Sequence, residues 1–338
     1  MEDVVKLSHG SGGIDTLELI KEITKDVKLR KIGKGIGLDE LDDSALIPLN
    51  EERFLAITVD SYTVNPIFFP GGDIGKLAAA GTINDLVVMG AKPLAVLDAV
   101  VVEEGFSKKD LHKVLNSFKQ VLKEEGVALI GGDFKVMPRG SLDKIVISTV
   151  GIGIVHKDSV ILDSGLRVGD KIIVSGTIGD HGAVILALQL GIDIGNLKSD
   201  CEPLTKVMEK AIKVGGVHAA KDPTRGGLLM ALHELAEKSG VTIVIDEAKV
   251  PIKEEVRACC EMLGVDPLSL ACEGKVVLGV DQDIADELVS SLHDLGYKDA
   301  AIIGEVNNIE PGLVLAKSLV GGLKILEPPL GEIVPRIC

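Results

Sequence analysis

Four aspartates lie where the sequence predicts the ends of apolar strands or a helix rich in small residues. They are Asp43 in DDSALI, Asp60 in TVDS, Asp85 in TINDLVVMGAKP and Asp133 in GGDFK. Mg²⁺ prefers carboxylate oxygens and bridges the phosphates of ATP, so carboxylates converging from separate elements would make a Mg–ATP site. The alternative is that each aspartate is an ordinary turn or helix-cap residue. All four are candidate metal ligands and nucleotide contacts.

Glycine-rich turns recur along the chain and offer backbone N–H groups to phosphate. The runs are HGSGG at 9–13, PGGD at 70–73, GGD at 131–133 and DPTRGG at 222–227, the last leading into a predicted helix whose N-terminus attracts anions. None matches the P-loop or the GxGxxG dinucleotide pattern, so ordinary turn glycines remain the alternative. The candidate nucleotide-binding residues in these runs are His9, Gly12, Gly131, Gly132, Asp222, Gly226 and Gly227.

Two further residues carry groups that can move a proton. Lys135 follows the GGD turn by two residues, and Glu273 lies in ACEGK just before a predicted strand. A lysine beside phosphate neutralises charge or, with a lowered pKa, takes a proton, and a carboxylate can act as a general base. The alternative for both residues is a solvated surface charge.

The chain ends on a cysteine, Cys338, directly after PRI. An exposed free thiol is prone to oxidation, so a thiol at the tip of a proline-rich arm suggests a functional role, against the alternative of a chance terminal residue. The count of five cysteines is odd, and no CxxC or Cys/His cluster is present. A disulfide framework and a zinc site are therefore not expected, and the other four cysteines are predicted to be structural.

The elements that must position these residues are predicted to form two α+β domains followed by an extended tail. The chain has 338 residues, 46% of them hydrophobic and only 2% aromatic, which favours a layered core of Val, Ile, Leu and Ala. The first half mixes apolar strands with two helices, predicted at 75–89 and 108–124, and a polar, turn-rich stretch follows Val155. The second half repeats strands and helices, and EPPLGEIVPRIC has no helical or strand period. The predicted divisions are 1–155, 156–326 and 327–338.

Charge and hydropathy limit the partners. The net charge of −15 argues against nucleic acid or an anionic membrane, because phosphate surfaces are bound by clustered Lys and Arg. The N-terminus is acidic where a signal peptide is basic, and the longest apolar run, 145–155, is too short to cross a bilayer. We therefore expect a cytoplasmic protein.

The motifs, taken together, resemble the HypE family of hydrogenase maturation proteins. The resemblance is carried by HGSGG, DDSALI, the long run from TVDSYTVNP to MGAKP, GGDFKV, SGTIGDHG, DPTRGG and the closing PRIC, in order and over essentially the whole chain. Several of these motifs also mark the wider superfamily of aminoimidazole ribonucleotide synthetase and selenophosphate synthetase, and PRIC singles out the HypE family. Phe134 departs from the small polar residue expected in GGDFK, but it leaves Lys135 in register.

The resemblance implies a fold and a reaction. The fold is PurM-like: an N-terminal mixed sheet pairs across a homodimer into a barrel, ATP binds near the interface, and a C-terminal α+β domain follows. The reaction is the ATP-dependent dehydration of a carbamoyl group on the terminal thiol to a thiocyanate, which supplies cyanide to the iron of [NiFe]-hydrogenase. HypF would load the thiol and the HypC–HypD complex would take the product. By motif, the metal-binding acids map onto Asp43, Asp60, Asp85 and Asp133, and the proton-handling pair onto Lys135 and Glu273.

Two other functions remain open at this point. One is an ATP-dependent synthetase or kinase of the same superfamily that acts on a free small molecule, for which Cys338 would be dispensable. The other is a non-enzymatic carrier whose tail thiol ferries a group made elsewhere, which predicts no ATP turnover.

Overall fold

Two β-sheets organise the chain, and helices pack on each of them. The computed structural model describes residues 4–318, 321–331, 334 and 336–338. The first sheet comes from residues 45–156 and the second from residues 171–325, with no strand shared between them. The predicted α+β class is therefore confirmed. The predicted domain limits remain predictions.

The first sheet is mixed and has five strands in the order β1-β2-β7-β5-β6. Strands β5 and β6 run parallel, and the other neighbours are antiparallel. A separate two-stranded hairpin, β3–β4, precedes the central helix. The elements of this half are α1 (Ile14–Thr24), β1 (Ala45–Pro48), β2 (Arg53–Tyr62), β3 (Phe68–Phe69), β4 (Gly72–Asp73), α2 (Ile74–Val88), β5 (Lys92–Glu103), α3 (Lys108–Glu124), β6 (Ala128–Met137) and β7 (Ile145–His156).

Helix α2 is the buried centre of this half. The carboxylate of Asp73 caps it by accepting hydrogen bonds from the N–H groups of Gly75 and Lys76, at 2.8 and 3.0 Å. A Cβ on Gly75 would lie 2.0 Å from the carbonyl oxygen of Val114, so glycine is what allows α2 and α3 to approach closely. The predicted helices at 75–89 and 108–124 agree with α2 and α3.

The second sheet has seven strands in the order β14-β13-β10-β12-β8-β11-β9. Its strands and helices alternate irregularly along the chain. They are β8 (Lys171–Val174), α4 (Asp180–Leu190), α5 (Thr205–Val214), β9 (Val217–Lys221), α6 (Gly227–Ser239), β10 (Thr242–Asp246), α7 (Glu254–Leu263), β11 (Val277–Val280), α8 (Ala285–Asp294), β12 (Ala301–Asn307), β13 (Val314–Lys317) and β14 (Leu323–Ile325).

The second half differs from the sequence prediction in the start of one helix and in elements that the prediction lacks. Helix α6 begins at Gly227 and not at the predicted Thr224, because the preceding residue, Gly226, has φ of +81°, outside helical geometry. The prediction also missed the short strand β9 and helix α5, although Val207, Met208 and Ala211 give α5 a buried face.

The predicted GGD turn is wrong. Gly131, Gly132 and Asp133 lie inside β6, which continues through Lys135 to Met137. The glycines serve strand pairing instead: a Cβ on Gly132 would lie 1.8 Å from Oδ1 of Asp98 on β5. Strand β6 is the edge strand of its sheet, and all ten of its residues are exposed.

The described residues of the tail form no helix or strand after Ile325 and return to the body of the protein. Predicted tail positions 332, 333 and 335 lie outside the described residues. None of the helices in the described part of the chain is long and apolar enough to span a membrane.

Candidate functional site

Five acidic side chains from five separate segments meet between the two halves of the protein. Asp43 precedes β1, Asp60 lies on β2 and Asp85 on α2, while Asp222 follows β9 and Glu273 precedes β11. Three of the four predicted metal ligands are in this group, which we call the acid cluster. The residue types predict this convergence. For the three aspartates, the fold produces it by bringing the start of β1, the end of β2 and the buried helix α2 together.

The acid cluster is electrostatically strained. Burial raises the pKa of Asp85 well above its usual range, and the charges of Asp222, Asp60 and Asp43 raise it further. Burial, with the charge of Asp43, raises the pKa of Asp222 to about 8. Carboxylates this close cannot all ionise without a compensating cation.

Lys221 supplies part of that compensation at one side of the cluster. Its Nζ lies 2.9 Å from Asp43, 3.0 Å from Asp163 and 3.1 Å from Glu234. These carboxylates raise the pKa of Lys221 against the effect of its burial, so the ammonium stays charged. Lys221 was not among the predicted site residues. The one sequence feature that points to it is its place directly before Asp222.

A cavity of about 280 Å³ opens beside Lys221. Its lining combines apolar side chains, Leu17, Ile20 and Met230, with acidic ones, Asp43 and Asp222. Predicted nucleotide contacts Gly12 and Gly227 also line it. A lining that is partly apolar and partly charged suits a ligand with a flat base and a phosphate chain.

Arg225 forms a wall of this cavity and of a second cavity of about 160 Å³ that contains Cys338. Its Nη1 donates to the carbonyl oxygen of Gly10 at 3.2 Å. Gly12 has φ of +81°, and a Cβ there would lie 2.3 Å from the Cβ of Arg225. Glycine at this position is therefore required by the approach of Arg225. Arg225 was not among the predicted site residues, although it is the single arginine of the DPTRGG turn.

The C-terminal arm is docked along the end of β2. The N–H and Oγ1 of Thr63 donate to a main-chain carboxylate oxygen of Cys338 at 2.8 and 3.0 Å. Two residues earlier, Nε of Arg336 donates to the carbonyl oxygen of Thr63 at 2.8 Å, and its guanidinium pairs with Asp143. The arm therefore holds its terminal residue in a defined place.

The docked Cys338 thiol faces the acid cluster. Removal of the sulfur from water raises its pKa; Arg225 opposes this rise, and the nearby charges of Glu273, Asp60 and Asp222 add to it. A cysteine that attacks a substrate needs a lowered pKa. The docked thiol is in the opposite situation, which suits a side chain that carries a group.

Glu273 is the buried carboxyl of this group, with only 2% of its surface exposed. Burial raises its pKa well above the usual range, and Asp222, Asp200 and Asp60 raise it further, while Arg225 opposes them. Its Oε1 has no hydrogen-bond partner among the described residues. A buried carboxyl with a raised pKa is a stronger base once ionised, so Glu273 has the chemistry of a proton acceptor.

Asp133 and Lys135 lie away from the acid cluster. Asp133 pairs in register with Ala99, Ala99 with Ser148 and Ser148 with Ser61, so three strand spacings, about 14 Å, separate β6 from β2. Nζ of Lys135 lies 2.7 Å from Asp133, and both side chains are exposed. Within one chain, Asp133 does not join the other three aspartates, and Lys135 does not meet Glu273. Gly131 and Gly132 lie with them on β6.

The HGSGG run contacts the arm as well as Arg225. Oγ of Ser11 donates to the carbonyl oxygen of Gly331 at 3.0 Å, and a Cβ on Gly13 would lie 2.6 Å from the carbonyl oxygen of Pro329. His9 accepts a local hydrogen bond from the N–H of Lys6 at 3.2 Å. The close approach of the chain end is thus a reason for glycine in this run.

The acid cluster fits Mg²⁺ in its donor chemistry. Within the described ranges, no group of three or more His, Cys, Asp and Glu side chains is arranged so that it could hold a metal ion as it stands. However, Oδ2 of Asp43 and Oδ2 of Asp222 are buried and lack a hydrogen-bond partner among the described residues. Unpartnered carboxylate oxygens with raised pKa values are what a hard divalent cation would satisfy.

Two family models match the chain, one for each half. The N-terminal domain of AIR synthase related proteins matches residues 41–155, and the C-terminal domain of the same proteins matches residues 167–312.

Curated and solved proteins match over nearly the full length. The carbamoyl dehydratase HypE of Escherichia coli is 41% identical over 99% of both chains. A structure of the hydrogenase maturation protein HypE in complex with ATP is 38% identical, with a TM-score of 0.82 over 99% of this chain and 100% of that one. A HypE–HypF complex contains a chain that is 39% identical, with a TM-score of 0.85 over 92% of this chain and 99% of that one. This chain belongs to the HypE family of carbamoyl dehydratases, within the AIR synthase related proteins.

Proposed function

We propose that the protein uses ATP to dehydrate a carbamoyl group carried on the thiol of Cys338, giving a thiocyanate for the cyanide ligands of hydrogenase iron. The observation that carries the proposal is the position of Arg225. It lines both the 280 Å³ cavity and the cavity that contains Cys338. A nucleotide in the first cavity would therefore have its phosphates beside the group on the thiol.

The residues have separate roles in this proposal. The apolar lining residues Leu17, Ile20 and Met230 would hold the base of ATP. Asp43, Asp60, Asp85 and Asp222 would hold Mg²⁺, which when bound neutralises the charge on the phosphates.

Lys221 and Arg225 are the fixed cations on the chain itself. They would orient the terminal phosphate toward the arm and stabilise the charge that develops during transfer.

The chemistry balances in two steps. In the first, the carbamoyl oxygen on Cys338 attacks the terminal phosphorus, and the bond from that phosphorus to ADP breaks. The nitrogen gives one proton to water as this carbon–oxygen–phosphorus link forms. In the second step, the carbon–oxygen bond breaks, phosphate leaves, the nitrogen loses its second proton, and the carbon–nitrogen triple bond forms. Glu273, whose charge acts on the Cys338 thiol, would accept that second proton. The carbamoyl oxygen thus departs as phosphate oxygen, and one ATP is consumed for each water removed.

The test follows the mass of the C-terminal peptide. The full chain, carbamoylated on Cys338, is mixed with ATP and Mg²⁺, and ADP is measured in parallel. We expect the peptide to lose one water for each ATP cleaved. ATP cleavage with an unchanged peptide would favour a kinase or synthetase acting on a free molecule, and the absence of cleavage would favour the simple carrier.

A second copy of the chain is the proposed source of Asp133 and Lys135 at the acid cluster. Strand β6 is an exposed edge, and edge strands with apolar side chains are usually covered in the working assembly. Leu129, Phe134 and Val136 on β6 are 43%, 48% and 58% exposed. A homodimer that pairs the β6 edges would join the two first-half sheets into a barrel. It would also bring Asp133 and Lys135 toward the acid cluster of the partner.

Replacement of Val136 by aspartate is expected to convert this dimer to a monomer, because it places a charge in the covered edge. The measurement is molar mass by light scattering at micromolar concentration. The control is Ile309→Asp, which changes an equally exposed apolar residue, at 62%, in the second half. A monomeric parent, or a Val136 variant that stays dimeric, would contradict the proposed assembly.

The partners follow from the same reaction. A carbamoyltransferase of the HypF type would load Cys338, and a HypC–HypD complex would receive the cyano group for iron. Loading requires the arm to leave the docked position, because Thr63 and Arg336 hold it against the body. We assign this cycle to the cytoplasm.

A further inference from the structure

One buried histidine contacts the docked arm, and the reaction proposed above does not use it. His181 lies in the first turn of α4, within the SGTIGDHG run, and its side chain is fully buried. Its Nε2 lies 2.8 Å from the carbonyl oxygen of Ile337, the residue before Cys338. Its Nδ1 lies 2.8 Å from Oγ of Ser199. The ring also packs edge-on against Phe69, with ring centroids 5.3 Å apart.

These contacts fix the tautomer of the ring. A carbonyl oxygen can only accept, so Nε2 of His181 must carry the proton and donate it to Ile337. Nδ1 is then the acceptor, and the hydroxyl of Ser199 donates to it. Oγ of Ser199 in turn accepts from the N–H of Cys201 at 3.1 Å. Burial lowers the pKa of His181, so the neutral ring that this arrangement needs is the stable form.

We propose that His181 is a positioning residue that latches the C-terminal arm, through Ile337, in the place where Cys338 faces the acid cluster. The arm is then held from two sides: Thr63 of the first half donates to a main-chain carboxylate oxygen of Cys338, and His181 of the second half donates to the carbonyl oxygen of Ile337. Both bonds are to backbone atoms, so the latch works whatever group the thiol carries. The role of the latch in catalysis rests on the function proposed above.

The latch also links the arm to the packing between the two halves. The N–H of Ser199 donates to the carbonyl oxygen of Pro70 at 2.8 Å. Phe69, next to Pro70, supplies the ring that His181 packs against. The donor toward the arm is therefore held by contacts from both halves, which is the arrangement expected of a group that must present one N–H in a fixed direction.

The experiment measures alkylation of Cys338 by iodoacetamide in the intact protein, without ATP or a carbamoyl group. His181→Asn keeps an amide where Nδ1 lies and loses the donor toward Ile337. His181→Gln keeps a donor where Nε2 lies. His181→Asn leaves the docked Ile337 carbonyl without its buried donor, which favours release of the arm. We therefore expect His181→Asn to accelerate labelling at least about fivefold and His181→Gln to stay within about twofold of the parent.

A second histidine provides the matched control. His233 donates from Nε2 to the carbonyl oxygen of Leu326 at 2.8 Å, at the base of the arm. His233→Asn removes a bond of the same kind without touching the tip, so labelling of Cys338 should not change. Unfolding is monitored in the same samples through the four buried cysteines, Cys201, Cys259, Cys260 and Cys272.

The outcomes separate the latch from the reaction. Ser199→Ala, which removes the group that orients the ring, replaces His181→Asn if that variant unfolds, and it should also accelerate labelling. A folded His181→Asn or Ser199→Ala variant that labels at the parent rate would overturn the latch. Equal acceleration in His181→Asn, His181→Gln and His233→Asn would also overturn it. The protein could also show faster labelling in His181→Asn and yet never dehydrate a carbamoyl group on Cys338. That result would support the latch and contradict only the proposed function.

Discussion

Replacement of Cys338 by alanine is expected to abolish both dehydration and the ATP cleavage coupled to it. In the proposed reaction the thiol carries the substrate, so the variant would have no group to phosphorylate. The acid cluster and the nucleotide cavity do not depend on the sulfur, because their walls come from other elements. ATP should therefore bind the variant as it binds the parent, measured by calorimetry, while ADP formation falls to the uncatalysed level.

The matched control is Cys259→Ala, which removes a buried thiol from α7, outside the two cavities that Arg225 lines. It should cleave ATP and dehydrate its arm like the parent. ATP turnover that survives in Cys338→Ala would refute a covalently held substrate. In that case the protein would be a synthetase or kinase for a free molecule.

The change of Glu273 to glutamine is expected to slow dehydration by about 10²- to 10⁴-fold, the usual contribution of a positioned general base. Glutamine keeps the size of the side chain but cannot accept the proton. The measurement is single-turnover mass analysis of the carbamoylated C-terminal peptide. Glu202→Gln is the control, because burial also raises the pKa of this nearby carboxyl, but Glu273, and not Glu202, is among the main charges that raise the pKa of the Cys338 thiol.

The Glu273→Gln variant should become more stable relative to the parent as the pH rises. Burial raises the folded-state pKa of Glu273 above its unfolded value. The stability linked to its proton is present below the unfolded-state pKa and is lost as the pH rises through the folded-state pKa. Glutamine has no proton to lose, so its advantage in unfolding temperature, measured with a chelator present, should widen with pH. An activity loss without this trend would mean that Glu273 is not buried as described.

The loss of rate and the gain of stability have one physical origin. A carboxyl whose Oε1 finds no hydrogen-bond partner in the described part of the chain destabilises the folded state, and the same lack of a partner leaves that oxygen available to a substrate proton. The unpartnered oxygens of Asp43 and Asp222 fit the same description for a cation. The site is therefore a place where local interactions are left incomplete until ligands arrive.

The sequence by itself determined the α+β class, helices α2 and α3, and the residue types of the site. Apolar periodicity was strong in α3, where Val114, Phe118, Val121 and Leu122 form one buried face. The motif order also identified the family, because PRIC and the aspartate motifs occur together. These features are local, and local patterns are legible in a single chain.

Only the tertiary structure decided which of these residues meet. Asp43, Asp60 and Asp85 converge, but Asp133 stays on an edge strand that the GGD motif had suggested was a turn. Distances between residues far apart in sequence depend on strand order and register, which no local pattern specifies.

The same reason explains Arg225 and His181. Each is one polar residue in a glycine-rich run, and nothing near it in sequence names its partner. Their importance comes from the docked arm, which returns across more than 100 residues to put Cys338 beside one and Ile337 against the other. The sequence places a thiol at position 338, and the fold decides where that thiol is held.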